Sequence, residues 1–222
     1  MTHVLVTGAG RDTGRRLACA FAARGAHVLA TARTLAAAQE TVDLIHAAGG
    51  SATPAVLDLA DPDSIERLRV DRLDVLVNSG ARYLAGAPTP ADVVDTIAGG
   101  ATGTVLLTER LLPLLRASTR PDIVNLISAA GQTGHHRSDA HPAFYAAKHA
   151  QAGYAEILSE RLRPEGIRVI SLFPPDFVQD GPRETGADLT AQSVVDCVLF
   201  AVGQPRDCFI RAFYFEQPAP RP

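Results

Sequence analysis

Cysteine, lysine and tryptophan are the residues that this chain of 222 residues has little or none of. Its three cysteines, Cys19, Cys197 and Cys208, are odd in number and far apart, which excludes a disulfide framework or a zinc knuckle and indicates a reducing compartment. Basic residues do not outnumber acidic ones. The net charge of −3 at pH 7 excludes the basic stripe that a nucleic-acid-binding protein needs.

Long hydrophobic runs are also absent. No apolar run reaches the roughly 18 residues that suggest a membrane span. The first ten residues, MTHVLVTGAG, lack the basic, apolar and small-residue order of a signal peptide. We therefore expect a soluble cytoplasmic chain with no membrane partner. With 46% hydrophobic and 20% charged residues, the composition excludes disorder and predicts one globular domain over residues 1–222.

Short apolar runs alternate with helical patterns along the whole chain. Seven runs predict strands, at residues 3–7, 27–31, 52–57, 73–78, 122–127, 167–173 and 208–215. Because strands that are apolar on both faces belong in a covered parallel sheet, the expected fold is an α/β, Rossmann-like, doubly wound sheet. About seven parallel strands would carry helices on both faces. Long loops at 131–141 and 174–188 follow strand ends, where such sheets bind ligands.

A glycine-rich turn, TGAGRDTG at residues 7–14, separates the first strand from the first helix. In that position, backbone N–H groups are able to approach a pyrophosphate at the helix N-terminus. The alternative is a tight turn in which Asp12 serves as the helix N-cap. The Asp12 carboxylate would repel a phosphate unless the side chain faces away from it. The sequence therefore leaves open whether this loop binds a nucleotide.

The end of the second strand carries no acid. An NAD site offers a carboxylate there to the ribose 2′-hydroxyl, whereas residues 30–33 read Ala-Thr-Ala-Arg. Arg33 and Arg11 are both able to reach a 2′-phosphate, unless they are simply two solvated surface arginines. The charges therefore favour NADP(H) over NAD(H).

Several short motifs follow the glycine-rich turn in a fixed order: Leu57-Asp58-Leu59, Asn78-Ser79-Gly80, Ser128, Tyr145 with Lys148, and Phe173-Pro174-Pro175. Their order and spacing resemble the short-chain dehydrogenase/reductase family over nearly the whole chain. The resemblance implies a Rossmann-fold oxidoreductase that uses NADP(H) or NAD(H) and forms a homodimer or homotetramer.

The resemblance also implies roles for single residues. Asp58 would contact the adenine with Leu59 beside it, and Asn78 would lie under the adenosine ribose. Asp12 replaces the middle glycine of the phosphate loop. The resemblance and the positions of the two arginines together predict a set of cofactor-binding residues. They are Gly8, Arg11, Asp12, Gly14, Arg33, Asp58, Leu59, Asn78 and Lys148. By the same resemblance, the expected catalytic residues are Ser128, which holds the substrate carbonyl, Tyr145, the acid, and Lys148, which anchors the nicotinamide ribose.

The spacing before Lys148 departs from the family. The family pattern is Tyr-x-x-x-Lys, but the residue four before Lys148 is Phe144, and Tyr145 lies three before it. Because positions i+3 and i+4 lie on roughly the same helix face as i, Tyr145 is still able to meet Lys148. Lys148 is the only lysine beside twenty arginines. A compact ammonium suits the neighbourhood of a phenol better than a broad guanidinium does.

Three features keep other interpretations open. Gly100 stands where the family has a helix-kinking asparagine. His135 and His136 follow Ser128 and are alternative proton donors, because histidine titrates near neutrality. Arg137 lies among these histidines, and no cysteine or ordered histidine pair supports a metal ligand set, so no metal is expected.

The expected function is NADP(H)-dependent oxidation or reduction of a carbonyl or hydroxyl group on a small molecule. A non-redox catalyst for dehydration, isomerisation or cyclisation is one alternative, and a catalytically lapsed cofactor- or partner-binding protein is another. The apolar helical pattern at residues 101–116 predicts a buried helix. In the family this helix packs against a second subunit; cover by its own chain alone is the alternative.

Overall fold

The computed structural model describes residues 1–134 and 138–216. A seven-stranded sheet in the order β3-β2-β1-β4-β5-β6-β7 forms the centre, and every neighbouring pair is parallel. The strands are β1 (His3–Val6), β2 (His27–Ala32), β3 (Ser51–Val56), β4 (Val75–Asn78), β5 (Asp122–Leu126), β6 (Arg168–Phe173) and β7 (Ala212–Tyr214). The predicted doubly wound fold is confirmed.

Helices cover both faces of the sheet. They are α1 (Asp12–Ala23), α2 (Leu35–Ala47), α3 (Pro62–Arg67), α4 (Pro90–Ile97), α5 (Gly103–Arg116), α6 (Pro142–Leu162) and α7 (Ala191–Gly203), with a π-helical turn at Ala98–Thr102 joining α4 to α5. Among the described residues, no helix is long and apolar enough to cross a membrane.

Alternation along the strands divides the core in two. Val4 and Val6 of β1 pack into a cluster with α1, α2 and α7, whereas Leu5 between them packs with α3, α5 and α6. Val75 and Leu76 of β4 divide in the same way. Because successive side chains of a strand point to opposite faces, apolar residues at every position require cover on both sides.

The chain between β4 and α5 differs from the prediction. The structure places α4 there, and its start is fixed by a reciprocal cap: Asp92 N donates to Thr89 Oγ1, and Thr89 N donates to the Asp92 carboxylate. The helix predicted from residue 101 begins at Gly103, after the π-helical turn. The last strand is also shorter than predicted, because only three residues of β6 pair with it.

A buried ion cluster closes the edge of the sheet at the amino ends of β5 and β6. Arg168 is 1% exposed, and its Nε and Nη2 donate to the two carboxylate oxygens of Asp122 at 2.7 Å each. The same guanidinium donates to the carbonyls of Val202 and Cys208. Arg206 Nη1 also donates to Asp122 at 2.7 Å. This cluster ties the end of α7 and the approach to β7 to the sheet.

Candidate active site

A cavity of about 1060 Å³ lies at the opposite, carboxyl edge of the sheet. The residues that line it come from the carboxyl ends of the strands, from the loops that follow them and from neighbouring helices, among them Phe144 and Lys148 of the helix α6. Open α/β sheets bind their ligands at this edge. The two long loops of the sequence contribute Gln132 and Ser138 after β5, and a short run from Pro174 to Gln179 after β6.

The loop after β1 packs so tightly that two positions require glycine. Gly8 has a φ of +66°, and a Cβ added there would lie 2.8 Å from the Cα of Gly80. A Cβ on Gly14 would lie 2.2 Å from the carbonyl oxygen of Gly8. The Thr7 hydroxyl accepts hydrogen bonds from the backbone N–H groups of Ser79 and Gly80 at 3.0 and 2.8 Å. These contacts fix the loop after β1, and the first residues of α1 line the cavity.

Asp12 is the unusual residue of this loop. Its φ is +49°, in the left-handed region where aspartate is better tolerated than most residues with a side chain. It is not the N-cap of α1, because the N-cap position belongs to Arg11. The Arg11 Nε lies 3.4 Å from an Asp12 carboxylate oxygen, and both side chains are exposed. Both residues line the cavity, so this exposed ion pair lies at its rim.

Most of the residues expected at the adenosine end line the cavity. Arg33 is exposed after β2, and Asp58 and Leu59 follow β3. The Asp58 carboxylate accepts a hydrogen bond from the Ala60 N–H at 2.9 Å, which fixes the turn after β3. A Cβ on Gly103 would lie 1.8 Å from the carbonyl oxygen of Leu59, so α5 begins in direct contact with this turn.

Asn78 lies behind the cavity, and among the described residues it is not part of the lining. Its side chain is 2% exposed and donates to Asn125 Oδ1 at 2.9 Å and to Thr108 Oγ1 at 3.2 Å. It joins β4, β5 and α5 beneath the floor. Ser79 and Gly80, the next two residues, line the cavity directly. The expected place of Asn78 under the adenosine ribose stays a prediction.

One end of the cavity is lined by residues at the carboxyl ends of β5 and β6, and Ser128 lies at this end. Its backbone is strained, with a φ of +103°. Its Oγ accepts a hydrogen bond from the Ala130 N–H at 3.2 Å, and its own N–H donates to the Leu172 carbonyl at 3.3 Å. Strained backbone is common at functional sites, where surrounding contacts hold it. The Oγ is thereby held at the cavity wall.

Lys148 lines the same end of the cavity and is 4% exposed. Its Nζ donates to the Leu126 carbonyl at 2.9 Å and to Gln151 Oε1 at 3.0 Å. Burial lowers the pKa of this amine to about 7. An ammonium has three N–H groups. These two acceptors leave one hydrogen for a ligand in the cavity.

Phe144, and not Tyr145, lies beside Lys148 in the cavity. Lys148 Nζ is 5.7 Å from the centroid of the Phe144 ring, within range of a cation–π contact. That ring packs against the ring of Tyr83 in a T-shaped arrangement, with the two centroids 5.2 Å apart. The Tyr145 hydroxyl instead contacts Ser138, 3.3 Å from its Oγ. Among the described residues that line the cavity, Tyr145 is absent.

The helix geometry explains this outcome. Consecutive residues of an α-helix point about 100° apart, and Phe144 and Tyr145 both lie in α6 close after its start at Pro142. The structure therefore does not bring the expected acid, Tyr145, together with Ser128 and Lys148. The alternative donors His135 and His136 lie outside the described residues.

The π-helical turn forms around Gly100 without the asparagine of the family. A Cβ on Gly100 would lie 3.2 Å from the Cβ of Ala147, so this turn packs closely against α6 next to Lys148. Two further residues at the site, Gln151 and Tyr83, were not predicted from the sequence. Gln151 is one helical turn beyond Lys148, a spacing that was a usable signal. Tyr83 has no such signal, because it lies in an irregular loop.

The chain is similar in sequence and in fold to known proteins. Residues 2–188 match the sequence profile of the short chain dehydrogenase family. An uncharacterised oxidoreductase of Myxococcus xanthus is 33% identical over 182 residues, which cover 77% of this chain and 70% of that protein. A metagenomic short-chain oxidoreductase in complex with NADP is 27% identical, with a TM-score of 0.80 over 96% of this chain and 95% of that one. A 3-oxoacyl-[acyl-carrier protein] reductase of Brucella melitensis with bound NAD is also 27% identical, with a TM-score of 0.76 over 90% and 83% of the two chains.

Proposed function

Because the chain belongs to the short-chain dehydrogenase family, we propose that it is an NADP(H)-dependent oxidoreductase acting on a carbonyl or hydroxyl group of a small molecule. The observation that carries the proposal is the continuous cavity from the glycine loop to Lys148. One end offers backbone N–H groups at the start of a helix, which suits phosphate. The other end offers Ser128 and a buried amine, which suit a polarised oxygen.

The residues present fit a dinucleotide. The absence of Cβ atoms at Gly8 and Gly14 lets the loop pack closely against Gly80 and on its own backbone. This packing fixes the backbone of the loop beside the cavity, where a pyrophosphate would bind. Arg33 stands at the end of β2 where an NAD site would have a carboxylate. The NADP-bound and NAD-bound relatives have similar folds, so the choice between the two rests on Arg33 and Arg11. When bound, the nicotinamide supplies or accepts a hydride.

The chain supplies orientation and polarity around the reacting group. In this proposal, the Ser128 hydroxyl donates a hydrogen bond to the substrate oxygen. The third N–H of Lys148 is available to the nicotinamide ribose or to the substrate. Tyr83, Phe144 and Phe177 give this end of the cavity aromatic walls, which exclude water from the reacting group.

Arg33→Ala tests the cofactor choice. We expect NADPH affinity to fall about tenfold, because one charge-assisted contact to a 2′-phosphate contributes roughly 1.5–3 kcal/mol before solvent screening at an exposed site. NADH affinity should stay unchanged. Calorimetric titration measures both, and Arg120→Ala serves as the control, because that exposed arginine precedes the amino end of β5. Equal losses for the two nucleotides would contradict the 2′-phosphate contact.

Asp12→Gly is expected to tighten NADPH binding about two- to fivefold. A negative charge near a phosphate at a helix N-terminus is unfavourable by roughly 0.5–1 kcal/mol, and glycine adopts the left-handed conformation without strain. Asp12→Asn separates the two causes, since it removes the charge and tolerates the same backbone. Weaker NADPH binding in both variants would contradict this prediction, because it would show that the Asp12 carboxylate favours binding.

We also propose a homo-oligomer. The structure buries most of the apolar residues of α5 within the chain itself, but Leu106 of α5 stays 41% exposed and Ile157 of α6 stays 49% exposed. Tyr154 Oη of α6 donates to Glu109 of α5 at 2.7 Å, which holds the two helices side by side. Sedimentation analysis is expected to show a dimer or tetramer that Leu106→Asp dissociates. A monomer at micromolar concentration would overturn this proposal.

A further inference from the structure

Carbonyl reduction requires a proton as well as a hydride, and the structure has no phenol where the family resemblance places one. Phe144 fills that position in the cavity, and Tyr145 turns away to Ser138. Beside Phe144, two described groups with a transferable proton line the cavity: Lys148, whose Nζ lies over the ring, and Tyr83, whose ring packs against that of Phe144. The proton donor in this chain must therefore be a residue other than the tyrosine of the family motif.

We propose that Lys148 itself supplies the proton for carbonyl reduction and that Gln151 positions its amine, an inference that rests on the oxidoreductase function proposed above. Lys148 is the better placed of the two groups, because its Nζ is fixed by two hydrogen bonds of 2.9 and 3.0 Å. Tyr83, by contrast, is 53% exposed. Gln151 is 2% exposed, so its acceptor oxygen is held within the core of the domain.

The charges around Lys148 favour release of its proton. Both acceptors, the Leu126 carbonyl and the Gln151 amide, are neutral, so neither stabilises the ammonium as a carboxylate would. Burial alone accounts for the lowered pKa of about 7. A buried ammonium that is not paired with a carboxylate is a stronger acid than a solvated one. General acids work best when their pKa lies near the working pH.

Other ionisable groups reach the cavity from the elements around Lys148. They are the Tyr83 phenol after β4, Asp95 of α4, which pairs with Arg82 at 3.2 Å, and Asp176 after β6. In the described part of the chain, none of them is a cause of the lowered Lys148 pKa. Residues His135 to Arg137 of the loop after β5 lie outside that part.

With a reduced dinucleotide bound, hydride addition to the carbonyl carbon would move the π electrons of the C=O bond to oxygen. One N–H bond of the Lys148 ammonium breaks, and its proton goes to that oxygen, which leaves an alcohol and a neutral amine. The amine then takes a proton from solvent. In the oxidation direction the neutral amine accepts the proton of the alcohol.

The single lysine makes a direct test practical. Protein labelled with [ε-13C]lysine gives one lysine signal by NMR, so its pH titration reports Lys148 alone. We expect a midpoint near 7. A midpoint nearer to the ordinary value of 10.5 than to 7 would overturn the proposal, even if no carbonyl substrate were in hand.

Gln151→Glu tests the positioning residue. A carboxylate in place of the amide, about 3.0 Å from Nζ, favours the ammonium. We expect the lysine midpoint and the falling limb of reduction rate against pH to rise together by more than about one pH unit. Ala150→Glu is the matched control, because it adds a carboxylate at an exposed position of the same helix and should move neither. A shift of the lysine signal without a shift of the rate profile would refute proton donation by Lys148.

Two substitutions distinguish the remaining sources of the proton. Lys148→Arg keeps a cation but removes a group able to lose a proton near neutral pH. We expect reduction of a carbonyl substrate to fall more than a hundredfold while NADPH still binds. In Tyr83→Phe, the falling limb near pH 7 should remain; a hundredfold loss at every pH would assign the proton to Tyr83. Failure of NADPH to bind the unmodified protein would instead reject the function proposed above.

Discussion

Gly14→Ala is expected to weaken NADPH binding by more than about a hundredfold, which corresponds to roughly 2.7 kcal/mol. The added methyl group would lie 2.2 Å from the Gly8 carbonyl oxygen and 2.7 Å from its carbonyl carbon. Both are backbone atoms, so the loop must move to make room. Moving it displaces the backbone at the start of α1, whose first residues line the cavity. Calorimetric titration with NADPH measures the loss.

Gly153→Ala is the matched control for this experiment. Gly153 lies in the interior of α6, and a Cβ there meets nothing within 4 Å. We expect unchanged NADPH affinity and a gain in stability of up to about 1 kcal/mol, because alanine favours the helix. Circular dichroism of Gly14→Ala should still show a folded protein. Wild-type NADPH affinity in that folded variant would contradict a phosphate site at this loop.

Arg168→Met is expected to lower the free energy of unfolding by about 3–5 kcal/mol. The substitution leaves Asp122, which is 1% exposed, with the half-buried Arg206 as its remaining charged partner. It also removes the donors to the carbonyls at the end of α7 and before β7. A buried carboxylate that loses its main partner is strongly destabilising, because its lost hydration is no longer compensated. Urea denaturation measures the change.

A surface ion pair provides the comparison for Arg168. Arg183 Nη2 lies 2.7 Å from Asp196, but the two side chains are 51% and 45% exposed. Arg183→Met should therefore change the stability by less than about 1 kcal/mol. The double variant Arg168→Met/Asp122→Asn should recover part of the loss, since it removes the uncompensated charge. Equal effects at the two arginines would show that burial does not control the contribution of Arg168.

The fold followed from patterns that a single sequence displays. Strands that are apolar at every position, such as residues 4–6 and 75–77, indicate a sheet covered on both faces, and the structure has one. Helix α4 was not predicted, because eight residues give a weak periodic signal. Its cap, Thr89 with Asp92, was nevertheless visible in the sequence. Short helices are better predicted from such caps than from periodicity.

The site was only partly predictable, for physical reasons. The glycine loop, Ser128 and Lys148 line the cavity as their positions after strands or on α6 led us to expect. The direction of the Tyr145 side chain differs from that of Phe144 by one helical step of about 100°. Sequence spacing alone does not show which of the two side chains enters the cavity. The spacing of Gln151, one helical turn beyond Lys148, was visible in the sequence. Its burial was not, because that depends on how α6 packs in three dimensions.

The most direct measurement is an NADPH titration followed by the signal of [ε-13C]lysine. The one lysine of the chain lines the cavity, so a dinucleotide that binds there changes the surroundings of its Nζ and Cε atoms. If the cavity is the NADP(H) site, the signal shifts and saturates with the affinity that calorimetry gives. A protein that binds NADPH by calorimetry but leaves the lysine signal unmoved would contradict a cofactor site beside Lys148.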